Sequence, residues 1–190
     1  NVDKRGCNIV GDAANEPSIA VDPTDPRRMA IGWRQFDSVL SDFRQPGWGY
    51  SHDGGHTWSF PGSLDPGVFG TDPVLDAAVD GQLYYFSINL DEARLFLSRD
   101  GGLSWSLRSQ VAPWFVDKPW MACGRSGGVF VAACDGFFRS FDNGLTFSYT
   151  DEAVCIPHMH VGVNGVLYMV GAVSTVGFTA SGNATDPQAK

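Results

Sequence analysis

Four times along the chain a residue stands directly before proline at the start of an apolar run: Glu16-Pro17, Asp72-Pro73, Lys118-Pro119 and Ile156-Pro157. Three of these four are charged, and Trp120, His158 and His160 follow closely on the third and fourth. Brought to one place, such side chains could grip a polar ligand through charge and hydrogen bonds; otherwise they would cap strand ends and line a water-filled tunnel. A strand through His158-Met159-His160 sets both imidazoles on one side, since alternate residues share a face. A metal ion would need a third ligand, for which Asp72 or Glu16 is available. With only four histidines in the chain, neither a metal nor another cofactor is expected.

The elements that must position these residues are announced by a second repeat. SHDGGHTW begins at Ser51, SRDGGLSW at Ser98 and SFDNGLTF at Ser140, spacings of 47 and 42 residues. In each copy an aspartate (Asp53, Asp100, Asp142) can accept backbone N–H groups just ahead of it. A glycine (Gly55, Gly102, Gly144) can take positive φ without strain, which makes a tight hairpin corner. The hydroxyls at the two ends can bond backbone locally, and the closing aromatic (Trp58, Trp105, Phe147) can be buried between neighbouring units. The spacing is about the length of one four-stranded propeller blade.

S-x-D-x-G-x-[ST]-[WF] resembles the Asp-box, or bacterial neuraminidase repeat, of sialidases and other propellers. The stretches 15–37, 71–87 and 117–128 are similar to secreted bacterial sialidase-like proteins. The resemblance implies an all-β propeller of four-stranded blades with the boxes at the blade periphery, away from the ligand face. Its blades are expected at about 16–60, 72–109, 117–150 and 156–190, as one partial domain spanning 1–190.

Within that plan strands are expected at Ser18–Val21, Met29–Trp33, Trp48–Ser51 and Thr57–Phe60 in the first unit, with Asp-Pro turns at Asp22 and Asp25. The second unit offers Val74–Ala78, Leu83–Ile88, Arg94–Leu97 and Ser104–Leu107; the third offers Trp120–Cys123, Val129–Ala133, Phe137–Arg139 and Thr146–Tyr149. A fourth has His158–Val163, Val166–Val170 and Gly177–Thr179, then a degenerate box with Ser181 in the aspartate place and Asn183 in the glycine place. Its outer strand is missing. Nearly four blades leave two apolar faces open. The ring is therefore expected to belong to a larger propeller, to be completed by a second chain, or to close as four blades through residues 7–12. The first strand of a blade is innermost, so the residues before proline should border the central channel and the ligand face.

Composition agrees with a folded β protein and narrows its partners. Of 190 residues 43% are hydrophobic and 13% aromatic, glycine (23) and proline (11) are plentiful, and glutamate and lysine number three each. Few long helices are expected. A net charge of −8 disfavours nucleic acid or an anionic membrane as partner, and no stretch reaches the ~20 apolar residues of a membrane span. The first residue is Asn1 rather than methionine, which fits a processed chain, and a secreted, periplasmic or cell-surface location is expected.

Four cysteines allow three pairings and match no metal motif. Cys123 and Cys134 flank the turn Arg125–Gly128, and pairing outward from it sets Phe130, not Cys134, opposite Cys123. Cys134 with Cys155, or Cys7 with a later thiol, is open, as are buried free thiols.

The resemblance also implies site chemistry. Sialidases use arginines that hold a substrate carboxylate bidentately, an aspartate acid/base and a tyrosine nucleophile with its glutamate. The Arg-Ile-Pro motif that usually supplies the first arginine is absent; the stretch reads Glu16-Pro17-Ser18. Arg34 and Arg44 are the available cations near the first-blade rim, with Asp37 as the acid/base candidate; a solvated or strand-edge role is the alternative for all three. Tyr84, Tyr85 and Tyr168 lie in strand patterns and read as packing residues. Trp33, Trp48, Trp114 and Trp120 could stack on sugar rings or pack between blades. The ligand is expected to be a glycan or glycoconjugate, either processed in sialidase fashion or bound without catalysis by a lectin-like or protein-docking scaffold.

Overall fold

The computed structural model describes residues 5, 7, 13–114, 116–151, 155–172 and 182–183. These form four antiparallel meanders, each with its strands in chain order. The first holds β1 (Ala13–Val21), β2 (Met29–Phe36), β3 (Arg44–Ser51) and β4 (Ser59–Ser63). The second holds β5 (Thr71–Ala77), β6 (Leu83–Ile88), β7 (Ala93–Ser98) and β8 (Ser106–Ala112). The third is β9 (Trp120–Cys123), β10 (Val129–Ala133), β11 (Gly136–Ser140) and β12 (Ser148–Thr150). The fourth is β13 (Cys155–Val161), β14 (Val166–Ala172) and the short β15 (Gly182–Asn183). Inner strands β1, β5, β9 and β13 pack in succession, so the sheets are blades of an all-β propeller. The strand expected at Gly177–Thr179, Ser181 of the degenerate box and residues 8–12 lie outside the described residues.

Each seam between blades is a separate core. Strand alternation sends adjacent Tyr84 and Tyr85 of β6 to opposite faces. Tyr85 joins Ala30, Trp48 and Leu75 between the first two blades, while Tyr84 joins Leu95, Met121 and Phe138 between the second and third. Met159 and Leu167 meet Ala122 and Phe130 at the third seam. Each such large side chain contributes roughly 1.5–3 kcal/mol. Trp48 is thereby a packing residue. Tyr168 is 54% exposed and stands opposite His160 across β13 and β14.

The Asp-box corners form as their residue types require, and their bonds move the outer strands. Ser51 Oγ donates to Asp53 Oδ1 (2.8 Å) and accepts the Gly55 N–H (2.9 Å), while Asp53 takes both the N–H (2.9 Å) and the O–H (2.6 Å) of Thr57. Ser98–Asp100–Ser104 and Ser140–Asp142–Thr146 repeat the arrangement. Thr57, Ser104 and Thr146 are thus consumed by the corner. The outer strands β4, β8 and β12 consequently begin two residues later than expected. The glycines also sit at close contacts: a Cβ on Gly102 would lie 3.0 Å from Ala30 Cβ and one on Gly144 2.4 Å from Leu95 Cδ2. The second and third boxes therefore dock on the preceding blade. His52 Nε2 meets Gly101 O at 3.0 Å, and Arg108 and Ser109 donate to the carbonyls of Asp142, Asn143 and Gly144.

A disulfide joins Cys134, just after β10, to Cys155 at the start of β13. The register around Cys123 differs by one from the expected pairing: Val129 is its partner and Phe130 lies opposite Ala122, because the turn residues Gly124 and Gly128 close on each other. Cys123 and Cys134 still do not meet, and Cys123 is a free thiol.

Candidate functional site at the channel mouth

The four residues before proline share one backbone state that strand residues seldom adopt. Glu16, Asp72, Lys118 and Ile156 have φ of 52°, 48°, 51° and 52°, in the left-handed region. Each X-Pro pair is a bulge of two residues opposite one. Glu16-Pro17 lies between the pairs Asn15↔Arg34 and Ser18↔Gly32, facing Trp33 alone. Asp72-Pro73 lies between Thr71↔Ile88 and Val74↔Phe86, and Ile156-Pro157 between Cys155↔Ala172 and His158↔Val170. On β9 the Cys134 N–H reaches Asp117 O (2.9 Å) before the ladder resumes at Trp120↔Ala132, which leaves Lys118-Pro119 as the extra pair. Proline suits the bulge because it has no N–H to orphan. The strain, of order 1–3 kcal/mol per residue, is repeated in every blade.

These bulges open onto one cavity of about 620 Å³, lined by Glu16–Ile19, Asp72–Asp76, Lys118–Met121 and Ile156–His160. Glu16, Asp72, Lys118, Trp120, His158 and His160 all border it, as the inner-strand repeat requires. Trp120 donates its Nε1–H to Met159 O (3.1 Å) and lies 4.2 Å from the His158 ring, so the third seam carries an indole against an imidazole.

Arg34, Arg44 and Asp37 are placed differently. Arg34 reaches from β2 to Glu16 Oε2 at 2.7 Å and contacts Asp72 Oδ1; Asp72 also accepts from Thr71 Oγ1 (2.8 Å) and faces Lys118 Nζ at 3.9 Å. The Arg34 guanidinium, 12% exposed, is thus shared between two carboxylates of two blades. Burial lowers its pKa, Glu16 raises it, and the nearby Arg44 charge lowers it further. Arg44 stands over the Phe69 ring at 5.2 Å. Asp37 is an exposed residue just after β2 that accepts from Gln45 Nε2 at 3.3 Å. None of these three lines the cavity. Trp33 donates to Gln35 Oε1 at 2.6 Å, and Trp114 packs on Tyr149 with ring centres 5.3 Å apart.

Asp76 was not foreseen and lines the same cavity. Its carboxylate accepts the N–H groups of Cys123 (2.6 Å) and Ala77 (2.8 Å), and burial pushes its pKa up against those bonds. Burial, then the Asp76 charge, pushes the Cys123 thiol up as well. A signal existed in the repeat: Asp76 stands three places after Pro73, as His160 does after Pro157. Among the described residues no three of His, Cys, Asp and Glu are grouped to hold a metal ion, and no helix is long and apolar enough to cross a membrane.

Residues 50–60 match the family model of the BNR/Asp-box repeat. Among solved structures, a Hadza microbial sialidase, Hz136, superposes with TM-score 0.66 at 15% identity, covering 84% of this chain and 40% of its own. Zg3597, a family 117 glycoside hydrolase from the marine bacterium Zobellia galactanivorans, gives 0.56 at 12% identity, covering 93% and 68%. YCF48 bound to D1 peptide gives 0.51 at 16% identity, covering 93% and 67%. No curated protein matches the chain in sequence. The class is that of β-propellers. Its boxes and blades make this chain a sialidase-like Asp-box propeller in fold, spanning well under two thirds of the sialidase's length.

Proposed function

We propose that this chain belongs to a secreted, periplasmic or cell-surface propeller that binds glycans at the channel mouth and, where the complete ring supplies the remaining groups, hydrolyses them as an exo-glycosidase. The observation that carries this reading is the convergence of four inner-strand bulges on one cavity holding carboxylates, an ammonium, an indole and imidazoles. Sugars are recognised by such sets of hydrogen-bonding groups around an aromatic face. Glycoside hydrolases with the same fold support it. The Cys134–Cys155 disulfide supports an oxidising compartment.

Hydrolysis needs one carboxyl that gives a proton and a second that acts ionised. Asp76, pushed up by burial, suits the first role. Glu16 or Asp72 would serve as the second, with Arg34 as the cation that positions them. Full-length native protein assayed on a glycan array and on a panel of fluorogenic glycosides, sialosides included, tests the reading. Binding or turnover that Trp120→Ala diminishes is expected; a folded protein that binds no glycan and cleaves no glycoside overturns it.

A second reading, a non-catalytic scaffold that docks a polypeptide, draws on one specific feature. Arg34 is committed to Glu16 and Asp72 and has no charge to spare for a substrate carboxylate. A propeller of this fold has been solved with a bound peptide.

A further inference from the structure

The bulge residues are Glu, Asp, Lys and Ile, four unlike side chains held within a few degrees of the same φ. A backbone state that holds even a β-branched isoleucine, for which it is least favourable, is set by the following proline and the ladder on either side, not by the side chain it displays. The position is therefore free to vary with the ligand, while the fold stays fixed.

The charges at these positions are mostly negative. Glu16, Asp72 and Asp76 line the cavity, and Asp117 acts on Arg34 from the approach to the neighbouring inner strand. Against them, Lys118 is drawn to Asp72, and Arg34 is shared between Glu16 and Asp72. Among the described residues no arginine lines the cavity, so these four blades offer a carboxylate no bidentate fork there. Arg44 is close enough to raise the cost of charge on Arg34 but lies outside the lining. Ile156 completes the set with an apolar, 59% exposed side chain. The carboxylates can instead accept hydroxyl or ammonium donors from a sugar that brings no negative charge of its own.

Resting on the glycan-binding reading above, we infer that the channel mouth selects sugars without negative charge, neutral hexoses and hexosamines, over carboxylated ones, and that the residue before each inner-strand proline sets this choice. The preference departs from what the resemblance to sialidases implies. It follows from which groups the bulges present.

Calorimetric titration of the intact native protein with matched pairs tests this: lactose against 3′-sialyllactose, and a neutral disaccharide against its amino counterpart. The wild type should bind lactose at least tenfold tighter than the sialylated form. Ile156→Arg, on an exposed site where folding is checked by circular dichroism, should shrink that ratio at least fivefold, and Glu16→Gln should weaken the amino sugar more than the neutral one. Equal or tighter binding of 3′-sialyllactose by the wild type overturns the selectivity while leaving glycan binding intact. An unchanged ratio in both variants overturns the assignment of the bulge residues. Absence of binding to every sugar in the set overturns this inference, while the glycan reading itself stands or falls on the array.

Discussion

Asp76 on β5 accepts the backbone N–H of Cys123 on β9 at 2.6 Å, a bond across the seam between the second and third blades. A buried N–H left without a partner costs about 1–3 kcal/mol. Asp76→Ala should lower the unfolding free energy by about that amount in urea titrations, whereas Asp76→Asn keeps an acceptor. The folded carboxyl has a raised pKa, so its contribution is full below the ordinary carboxylate value and lost as pH rises through the folded one. Asp76→Asn should therefore gain on the wild type as pH rises above the ordinary carboxylate range, and a difference that stays constant with pH would refute the assignment.

Two box glycines with the same φ should respond differently to alanine. Gly54 has φ +74° and open space around its would-be Cβ, so Gly54→Ala should cost only the left-handed penalty of about 1–2 kcal/mol. Gly144 has φ +73°, and its Cβ would fall 2.4 Å from Leu95 Cδ2 on the preceding blade. Overpacking adds about 1–3 kcal/mol there. Thermal melts of the two variants should rank Gly144→Ala clearly below Gly54→Ala; equal losses would mean that the corner does not dock where the structure has it.

Much of the fold was legible because the repeat speaks through turn chemistry. A serine, an aspartate and a glycine at fixed offsets specify a corner whatever surrounds it, and strands such as Leu83–Ile88 and Trp120–Cys123 were bounded by unambiguous apolar runs. The outer strands begin two residues later than the pattern suggests because Thr57, Ser104 and Thr146 spend their N–H groups on the aspartate rather than on the ladder. The inner-strand residues were found from their prolines. What sequence did not disclose is that Arg34 crosses a seam to Asp72, or that Asp76 reaches Cys123, since both contacts join residues far apart in the chain. The cysteine pairing stayed open for the same reason.

The Cys134–Cys155 disulfide ties the third blade to the fourth across a sequence separation of 21. Chain-entropy reasoning assigns a loop of that size about 3 kcal/mol. The double variant Cys134→Ser, Cys155→Ser should unfold at correspondingly lower urea concentration, and dithiothreitol should shift the wild type toward it while leaving the variant unmoved. A reductant effect of equal size on both would place the stabilisation elsewhere.

Acid should loosen the boxes in a defined window. Burial raises the Asp142 carboxyl, but the Thr146 and Ser140 hydroxyls and the backbone N–H groups outweigh it and hold the pKa at about 2; Asp100 is lowered in the same way. A carboxylate whose folded pKa is depressed stabilises above its unfolded value and loses that contribution as pH falls through the folded one. The melting temperature should accordingly drop between pH 4 and about 2, and Asp142→Asn should be less stable at pH 7 yet show a shallower acid drop. A wild type whose stability is flat over that range would show that the corners are not held by ionised aspartates.

Arg34 offers the sharpest separation of structure from function at the channel mouth. Among the described residues it is the one cation contacting both Glu16 on β1 and Asp72 on β5, and removing one partner of a largely buried ion pair costs about 3–5 kcal/mol when the remaining charges are stranded. Arg34→Leu leaves Asp72 with only Thr71 Oγ1 and the more distant Lys118, so a loss near the lower end is expected in denaturant titrations. Adding Asp72→Asn removes the stranded charge, and the double variant should recover at least half of that loss. Additive losses in the cycle would mean that the two groups do not interact across the seam.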